Sequence, residues 1–135
     1  RRAPERERAR DLLTRVGIEH LERALAADLS YGQQKLLELA GVLMADPDTI
    51  MLDEPASGLR DSEVDQLTAV ITELRERHGI SSLIVSHDMQ LINDACSRVL
   101  VLDHGAPMAF GTPSEIRDDE RVIAAYLGDG ELSCS

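Results

Sequence analysis

Ile50-Met51-Leu52-Asp53-Glu54-Pro55 places three apolar residues directly before two adjacent carboxylates and a proline. A short apolar run bounded in this way is typical of a buried strand, and parallel α/β sheets bind ligands at the carboxyl ends of their strands. Neighbouring carboxylates repel each other unless a cation or a proton-transfer role accommodates one of them. We therefore interpret Asp53 as a Mg²⁺ ligand and Glu54 as the residue that acts on a nucleophilic water. The alternative is a strand followed by an acidic turn.

The composition is that of a globular domain with no surface for nucleic acid. The 135 residues are 43% hydrophobic and 29% charged, enough for one domain with a core. The net charge of -11 and the aromatic content of 2% argue against nucleic-acid binding, which uses clustered Lys and Arg or stacking rings. No apolar run reaches the ~20 residues of a membrane span. Cys96 and Cys134 lack metal-ligand spacing, so we expect two unbridged thiols in the cytosol.

Helical and strand patterns alternate along the chain. Helices are predicted over 4–16, 18–28, 31–45, 62–78 and 88–95, followed by a helix capped at Thr112 and a terminal helix that ends at Gly128. Strands are predicted over 50–53, 82–86, 98–103 and 106–110, the last two as a hairpin. Strands that alternate with helices imply an α/β fold with a mainly parallel sheet.

His87 follows the second predicted strand in the way that Asp53 and Glu54 follow the first. Because the carboxyl ends of parallel strands face one crevice, we expect His87 to reach a phosphate or the water that Glu54 addresses. The alternative is that His87 and Asp88 only cap the next helix.

The segment Leu29-Ser30-Tyr31-Gly32-Gln33-Gln34 has the pattern of a capping box, with Ser30 as N-cap and Gln33 at the third helical position. A helix N-terminus with a glycine that permits close approach is a ready anion site, since its first N–H groups are unpaired. The alternative is a well-capped helix without a ligand.

The order of these motifs resembles the second half of an ABC-type ATPase domain, over residues 12–128. On this resemblance the signature motif, which acts on the nucleotide of a second subunit, includes Leu29, Ser30, Tyr31, Gly32 and Gln33. The strand that ends at Asp53 is the Walker B strand with its metal ligand, Glu54 is the catalytic glutamate and His87 is the switch histidine. The D-loop consists of Ser57, Gly58, Leu59 and Arg60.

The resemblance implies part of the P-loop NTPase (RecA-like) fold of ABC ATPases. Residues 1–45 would be the end of the helical subdomain with the signature helix, 46–128 the C-terminal half of the sheet with its flanking helices and terminal hairpin, and 129–135 a tail. The chain contains no Gly-x-x-x-x-Gly-Lys-[Ser/Thr] sequence, so we expect a C-terminal portion that is inactive alone. The absent P-loop strand would lie between the strand before His87 and the strand 98–103, so we expect a gap there.

Two residues depart from the family pattern. Tyr31 stands where glycine is usual, and Arg60 ends the D-loop where Asp or Asn is common, with Asp61 one place later. The second departure affects the contact that this loop makes across the dimer.

The resemblance also implies cofactors and partners. ATP and Mg²⁺ would bind between two ATPase subunits, which would lie in the cytoplasm on the inner face of the cell membrane, on permease subunits that a periplasmic or extracellular binding protein serves. The signature wording and the ending at 111–128 are most similar to branched-chain amino acid importers. Urea or amide importers, lipopolysaccharide exporters, a non-transport ABC ATPase and a non-catalytic interaction module are the alternatives.

Overall fold

The computed structural model describes the backbone of residues 2–127 and the side chains of residues 4–126. The chain divides into two compact units, Arg1–Leu91 and Ile92–Ser135. The α-helices are α1 (Arg2–Arg15), α2 (Tyr31–Leu43), α3 (Asp61–His78), α4 (Met89–Ala95), α5 (Pro113–Arg117) and α6 (Glu120–Val122). The strands are β1 (Thr49–Asp53), β2 (Ser81–Val85), β3 (Val99–Asp103) and β4 (Ala106–Gly111). Short 3-10 helices lie at Glu19–Leu21 and Ala26–Asp28, and a π-helical turn lies at Ile123–Leu127.

Strands β1 and β2 form a parallel pair in the first unit. The paired residues run from Thr49 opposite Ser81 to Asp53 opposite Val85. The pairing extends one residue further, because the N–H of Glu54 donates to the carbonyl oxygen of Val85 at 2.7 Å. Both strands therefore end at the same level, with their carboxyl ends side by side.

Helices α1, α2 and α3 supply most of the core of the first unit. Each buries one stripe of apolar residues spaced three or four apart. The buried members are Leu12 and Val16 of α1; Leu36, Leu39, Ala40 and Leu43 of α2; and Val64, Leu67, Val70, Ile71 and Leu74 of α3. Removing apolar surface from water contributes about 25 cal/mol per Å², which makes these stripes the main source of stability for the unit.

The sheet of the first unit is buried on one face only, so the prediction of fully buried strands is wrong. Ile50 is 2% exposed, whereas Met51, Leu83 and Val85 are 78%, 58% and 58% exposed. Met51 and Leu83 are direct partners across the pair, so their side chains share a face. An apolar run without alternation does not show this, because both faces carry the same type of residue.

Local capping signals predict several helix ends correctly. Ser30 Oγ accepts a hydrogen bond from the N–H of Gln33 at 3.2 Å, and Thr112 Oγ1 accepts one from the N–H of Glu115 at 3.3 Å. Gly79 has a φ of 65° and ends α3 in the left-handed conformation typical of helix C-termini. These ends are predictable because the residues involved lie within one turn of each other.

Other predicted boundaries differ from the structure. Helix α2 ends at Leu43 rather than at residue 45, and α3 begins one residue early, at Asp61. Strand β2 begins one residue early and β3 one residue late, differences within the usual variation at element ends. The helix predicted over 18–28 is replaced by two 3-10 turns, since Leu25 is 70% exposed and no apolar stripe is available to stabilise a longer helix. The predicted helix end at Gly128 and the tail 129–135 lie outside the described residues.

Strands β3 and β4 form the predicted antiparallel hairpin in the second unit. Its two-residue turn consists of His104 at φ 47° and Gly105 at φ 80°. Positive φ at both positions is typical of a type I′ turn, whose twist matches that of the flanking strands. Among the described residues β1 pairs with β2 and β3 with β4, which gives two two-stranded sheets.

Candidate active site

Glu54 and His87 meet at the carboxyl ends of β1 and β2. Nδ1 of His87 lies 2.9 Å from Oε2 of Glu54, within ion-pair distance. That carboxylate oxygen is shielded from solvent and makes no hydrogen bond of good geometry, whereas the His87 side chain is 80% exposed. The structure thus brings together the two residues for which the sequence predicts catalytic roles.

The backbone of Glu54 is strained. Its φ is 47°, in the left-handed region that residues with a Cβ seldom adopt, and the following Pro55 restricts it further. Hydrogen bonds hold this conformation on both sides, because the N–H of Glu54 donates to Val85 at 2.7 Å and its carbonyl accepts from the N–H of Ser57 at 3.1 Å. Such a conformation costs about 1–3 kcal/mol and is typical of functional sites.

The segment after β2 separates the two interpretations of His87. Ser86 Oγ accepts from the N–H of Asp88 at 3.0 Å, and Asp88 Oδ1 accepts from the N–H of Leu91 at 2.9 Å. Asp88 therefore caps the start of α4 by itself. His87 has no part in that cap and contacts Glu54 instead.

Asp53 does not join the contact between Glu54 and His87. Its exposed carboxylate borders a cavity of about 180 Å³ that Lys35 and Pro55 also line. The described residues contain no group of three His, Cys, Asp or Glu side chains that could hold a metal by themselves. A single exposed carboxylate still suits Mg²⁺, because this ion keeps several waters and takes its other ligands from phosphates. The donor set therefore fits a Mg²⁺ ion bound together with a nucleotide.

The N-terminus of α2 has the predicted capping box. Ser30 and Gln33 exchange two hydrogen bonds, at 3.2 Å to Ser30 Oγ and at 2.9 Å to Gln33 Oε1. These bonds leave the N–H groups of Tyr31 and Gly32 outside the box, at the positive end of the helix dipole. Leu29 precedes the cap, and its carbonyl accepts from the Gln34 amide at 3.2 Å. The local chemistry fits an anion.

The signature segment and the acidic strand end are separate in the first unit. No hydrogen bond or ion pair joins residues 29–33 to Glu54 or His87 in the part of the chain that the structure describes. The structure therefore brings together the Glu54–His87 pair but does not add the signature residues to it.

Residues 57–60 form a tight turn between β1 and α3, the position of the predicted D-loop. Gly58 has a φ of 77°, and the N–H of Leu59 donates to the carbonyl of Ala56 at 3.1 Å. Arg60 is the N-cap of α3, and its exposed guanidinium Nη2 lies 3.1 Å from Oε1 of Glu63. Arg60 thus forms an ion pair within its own chain.

Two close approaches that the sequence does not reveal connect the start of α2 with this turn and with α3. A Cβ added at Gly32 would lie 2.6 Å from Oε1 of Glu63, and one added at Gly58 would lie 3.1 Å from the ring of Tyr31. The side-chain hydrogen bond from Arg60 lowers the pKa of the Glu63 carboxyl, so this group is ionised at neutral pH. Nothing in the sequence indicates the approach of Glu63 to Gly32.

Two family models match this sequence. The model described as ABC transporter matches residues 3–57. The model described as branched-chain amino acid ATP-binding cassette transporter matches residues 107–131. The first match includes the signature segment and the strand that ends at Asp53, and the second includes most of β4 and the helices that follow it.

Several curated proteins are similar to this chain. The high-affinity branched-chain amino acid transport ATP-binding protein BraF of Pseudomonas aeruginosa is 44% identical over 117 residues, which are 87% of this chain and 46% of the relative. The corresponding protein LivG of Escherichia coli K12 is 43% identical over 124 residues, 91% of this chain and 48% of the relative. The lipopolysaccharide export system ATP-binding protein LptB of Haemophilus influenzae is 36% identical over 124 residues, 92% of this chain and 51% of the relative. The chain spans about half the length of these relatives.

Solved structures agree with the sequence matches. The structure of cbiO1 from Clostridium perfringens, part of the ABC transporter complex cbiONQ, has a TM-score of 0.79 and 34% identity, over 88% of this chain and 47% of that one. An ATP-binding cassette of an ABC transporter in its ADP conformation has a TM-score of 0.82 and 28% identity, over 91% of this chain and 50% of that one. The motifs, the sequence relatives and the fold lead to one conclusion: the chain belongs to the ABC transporter ATP-binding protein family.

Proposed function

We propose that this chain provides the Walker B, switch and signature parts of an ABC ATPase that powers the import of branched-chain amino acids. The observation that carries the proposal is the 2.9 Å contact between Glu54 and His87 at the ends of two adjoining parallel strands. A carboxylate and an imidazole placed together at this edge of a sheet suit the attack of water on a γ-phosphate.

In the proposed mechanism Glu54 is the general base. Its Oε2 is shielded from solvent beside His87, so Oε1 of the 38% exposed side chain is the oxygen that would accept a proton from an attacking water. His87 contacts Oε2 through Nδ1, which leaves Nε2 of an exposed ring free to hold the γ-phosphate. The pair thereby aligns the water with the phosphorus atom.

The remaining parts of the proposed site bind charge. Asp53 would hold Mg²⁺ through water, and when bound this ion neutralises charge on the phosphates. Ser30, Gly32 and the N-terminus of α2 would stabilise the γ-phosphate bound to a second subunit. Leu29, Tyr31 and Gln33 belong to the same signature segment. The proposed site also includes a P-loop, a sequence that these 135 residues do not contain.

The proposed organisation follows the resemblance. Residues 1–45 belong to the helical subdomain and signature helix, 46–128 extend from Walker B to the C-terminal helix, and 129–135 form a tail. A second ATPase subunit and permease subunits are the proposed partners, with a periplasmic or extracellular binding protein acting indirectly, at the cytoplasmic face of the membrane. Within the described residues no helix is long and apolar enough to cross a bilayer.

Branched-chain amino acids are the proposed cargo because the relatives BraF and LivG are named for their transport and because the model matched at residues 107–131 carries the same description. Lipopolysaccharide export is the second candidate, since LptB is 36% identical to this chain. The net charge of -11 counts against an ABC ATPase that acts on nucleic acid.

The test of the base uses the protein produced from its complete gene. With Mg²⁺ and ATP, Glu54→Gln should lower kcat on the order of 10²-fold or more, because it removes the proton acceptor while keeping the shape of the side chain. It should also retain an ATP-bound dimer that size-exclusion chromatography detects. Glu7→Gln, which changes an exposed carboxylate on α1, serves as the control and should hydrolyse ATP at the parent rate. A Glu54→Gln protein as active as the parent would show that the base is another residue.

The test of the cargo measures uptake of radiolabelled leucine in cells with and without the gene. Loss of leucine uptake, restored by the parent gene and not by the Glu54→Gln gene, supports the proposal. Normal leucine uptake with loss of lipopolysaccharide at the cell surface would favour the second candidate.

A further inference from the structure

We propose that Glu63 and Tyr31 are positioning residues that join the start of α2 to the turn 57–60, so that the signature segment and the turn beside Glu54 move as one piece within each subunit. The inference rests on the proposed ATPase function, and it adds two residues that act through contacts inside the chain.

Glu63 forms the first of the two connections. Its side chain is only 16% exposed, and its two carboxylate oxygens accept from the backbone N–H of Arg60 at 3.0 Å and from the Arg60 guanidinium at 3.1 Å. The same carboxylate lies against Gly32, where an added Cβ would come within 2.6 Å of it. A side-chain hydrogen bond with Ser30 also contributes to the lowered pKa of Glu63. One carboxylate therefore contacts both the end of the turn and the N-cap region of α2.

Tyr31 forms the second connection. Its ring covers Gly58, where an added Cβ would lie 3.1 Å from Cε1 of the ring. Gly58 has a φ of 77°, so the turn needs glycine there for its backbone as well as for the space that the ring occupies. The ammonium of Lys35, also in α2, lies 5.5 Å from the ring centroid. A glycine at position 31, the residue usual in the family, would lack this contact altogether.

The two connections lead back to the candidate base. The turn that Tyr31 covers begins at Ser57, whose N–H donates to the carbonyl of Glu54 at 3.1 Å. Glu54 itself is held in the left-handed conformation, so a shift of the turn alters the direction of its carboxylate. A displacement of the α2 N-terminus by a bound anion would in this way reach Glu54 through Tyr31 and Gly58. Misplacement of a reacting group by about 1 Å costs up to about 10²-fold in rate, so small shifts are sufficient.

The experiment measures kcat and KM for ATP in the protein from its complete gene. Glu63→Ala and Tyr31→Gly should each lower kcat by about tenfold, while binding of a fluorescent ATP analogue to the single subunit stays at the parent level. Tyr31→Phe keeps the ring over Gly58 and should lose less kcat than Tyr31→Gly. The double variant should lose less than the product of the two single losses, because both residues fix the same pair of segments.

The control variant is Glu73→Ala, which removes another glutamate of α3 that is paired with an arginine, at 3.3 Å. It should leave kcat unchanged. Thermal unfolding of every variant is recorded, and Glu63→Gln replaces Glu63→Ala if the latter does not fold.

Parent-like kcat in Glu63→Ala and Tyr31→Gly, with a Glu54→Gln variant that is inactive, would overturn this inference and leave the proposed function intact. An equal loss of kcat in Tyr31→Phe and Tyr31→Gly would also overturn it, since the ring would then not be the positioning element. Activity of Glu54→Gln at the parent rate would instead refute the proposed function.

Discussion

Nδ1 of His87 lies 2.9 Å from Oε2 of Glu54, and the register of two parallel strands creates this relationship. Asp53 stands opposite Val85, so the residues that follow each strand emerge at the same edge of the sheet. A shift of one residue in this register would move His87 by about 3.3 Å along the strand and break the contact. The geometry of the candidate pair therefore depends on the packing that fixes the register.

Loss of the imidazole should slow turnover without preventing nucleotide binding. His87→Ala should lower kcat by about 10²-fold, because the γ-phosphate and the attacking water are no longer aligned, while KM for ATP changes little. Steady-state ATP hydrolysis by the protein from its complete gene measures both constants. His104→Ala, at the exposed hairpin turn, is the matched control, and an equal loss in both variants would contradict the assigned role of His87.

The left-handed conformation of Glu54 predicts an unusual order of stability. Glu54→Gly should be more stable than Glu54→Ala by about 1 kcal/mol, because glycine adopts a φ of 47° without steric cost. Urea unfolding of the two variants gives the difference in the free energy of unfolding. At Glu73, inside α3, the order should reverse, with alanine favoured over glycine by about 1 kcal/mol. If alanine is favoured at both positions, Glu54 is not strained.

The approach of Glu63 to Gly32 predicts a substitution whose effect changes sign. Gly32→Ala should destabilise the parent by about 1 kcal/mol, because the new Cβ would lie 2.6 Å from the carboxylate and displace it from Arg60. In a Glu63→Ala background the same substitution should stabilise by up to about 1 kcal/mol, since alanine favours the helix. Gly41→Ala, with no atom within 4 Å of the added Cβ, should stabilise in both backgrounds. Equal effects of Gly32→Ala in the two backgrounds would rule out the contact.

The core of the first unit predicts a large cost for truncating Leu74. This residue is 2% exposed on α3, so Leu74→Ala should lower the free energy of unfolding by about 2–5 kcal/mol through lost burial and a residual cavity. Leu25→Ala removes the same atoms from a side chain that is 70% exposed and should change stability by less than about 0.5 kcal/mol. Denaturant unfolding compares the two, and similar losses would contradict the described packing.

The second unit should lose stability in acid through Asp119. Hydrogen bonds from the Arg121 side chain and backbone lower the pKa of Asp119 from 3.8 to about 2. Because the folded pKa lies below the unfolded one, the carboxylate stabilises the fold above about pH 3.8, and this contribution disappears as the pH falls towards 2. An NMR titration of the side-chain carboxyl should show the lowered pKa, and Asp119→Asn should remove this part of the acid dependence. A midpoint near 3.8 would show that the pairing with Arg121 does not form in solution.

The sequence predicts well those features that depend on neighbours along the chain. Examples are the capping boxes at Ser30 and Thr112 and the left-handed glycine at Gly79. Each involves residues only a few positions apart, so its geometry follows from the local sequence. The meeting of Glu54 and His87 is also predictable, because parallel strands of similar length end together.

Features that depend on tertiary packing escape the sequence. The exposure of Met51 and Leu83 depends on which face of the sheet the helices cover. A continuous apolar run does not indicate that face, because it lacks an alternation of apolar and polar residues. The strained φ of Glu54 results from hydrogen bonds to Val85 and Ser57 on either side. The approach of Glu63 to Gly32 joins residues 31 positions apart in the chain, and no local pattern encodes such a distance.

The turn of His104 and Gly105 governs more than the reversal of the chain. It sets Asp103 opposite Ala106, and a one-residue register shift between Val101 and Leu102 then places Leu100 opposite Phe110. Both of these side chains are exposed, at 53% and 67%. Inserting one residue between His104 and Gly105 would move every later residue of β4 to the opposite face of the hairpin. Phe110 would then point inward, and its inward-facing neighbours would face water. The number of residues in this turn is therefore more strictly constrained than the identity of the residue at position 104. Insertions there should be tolerated far less well than substitutions of His104.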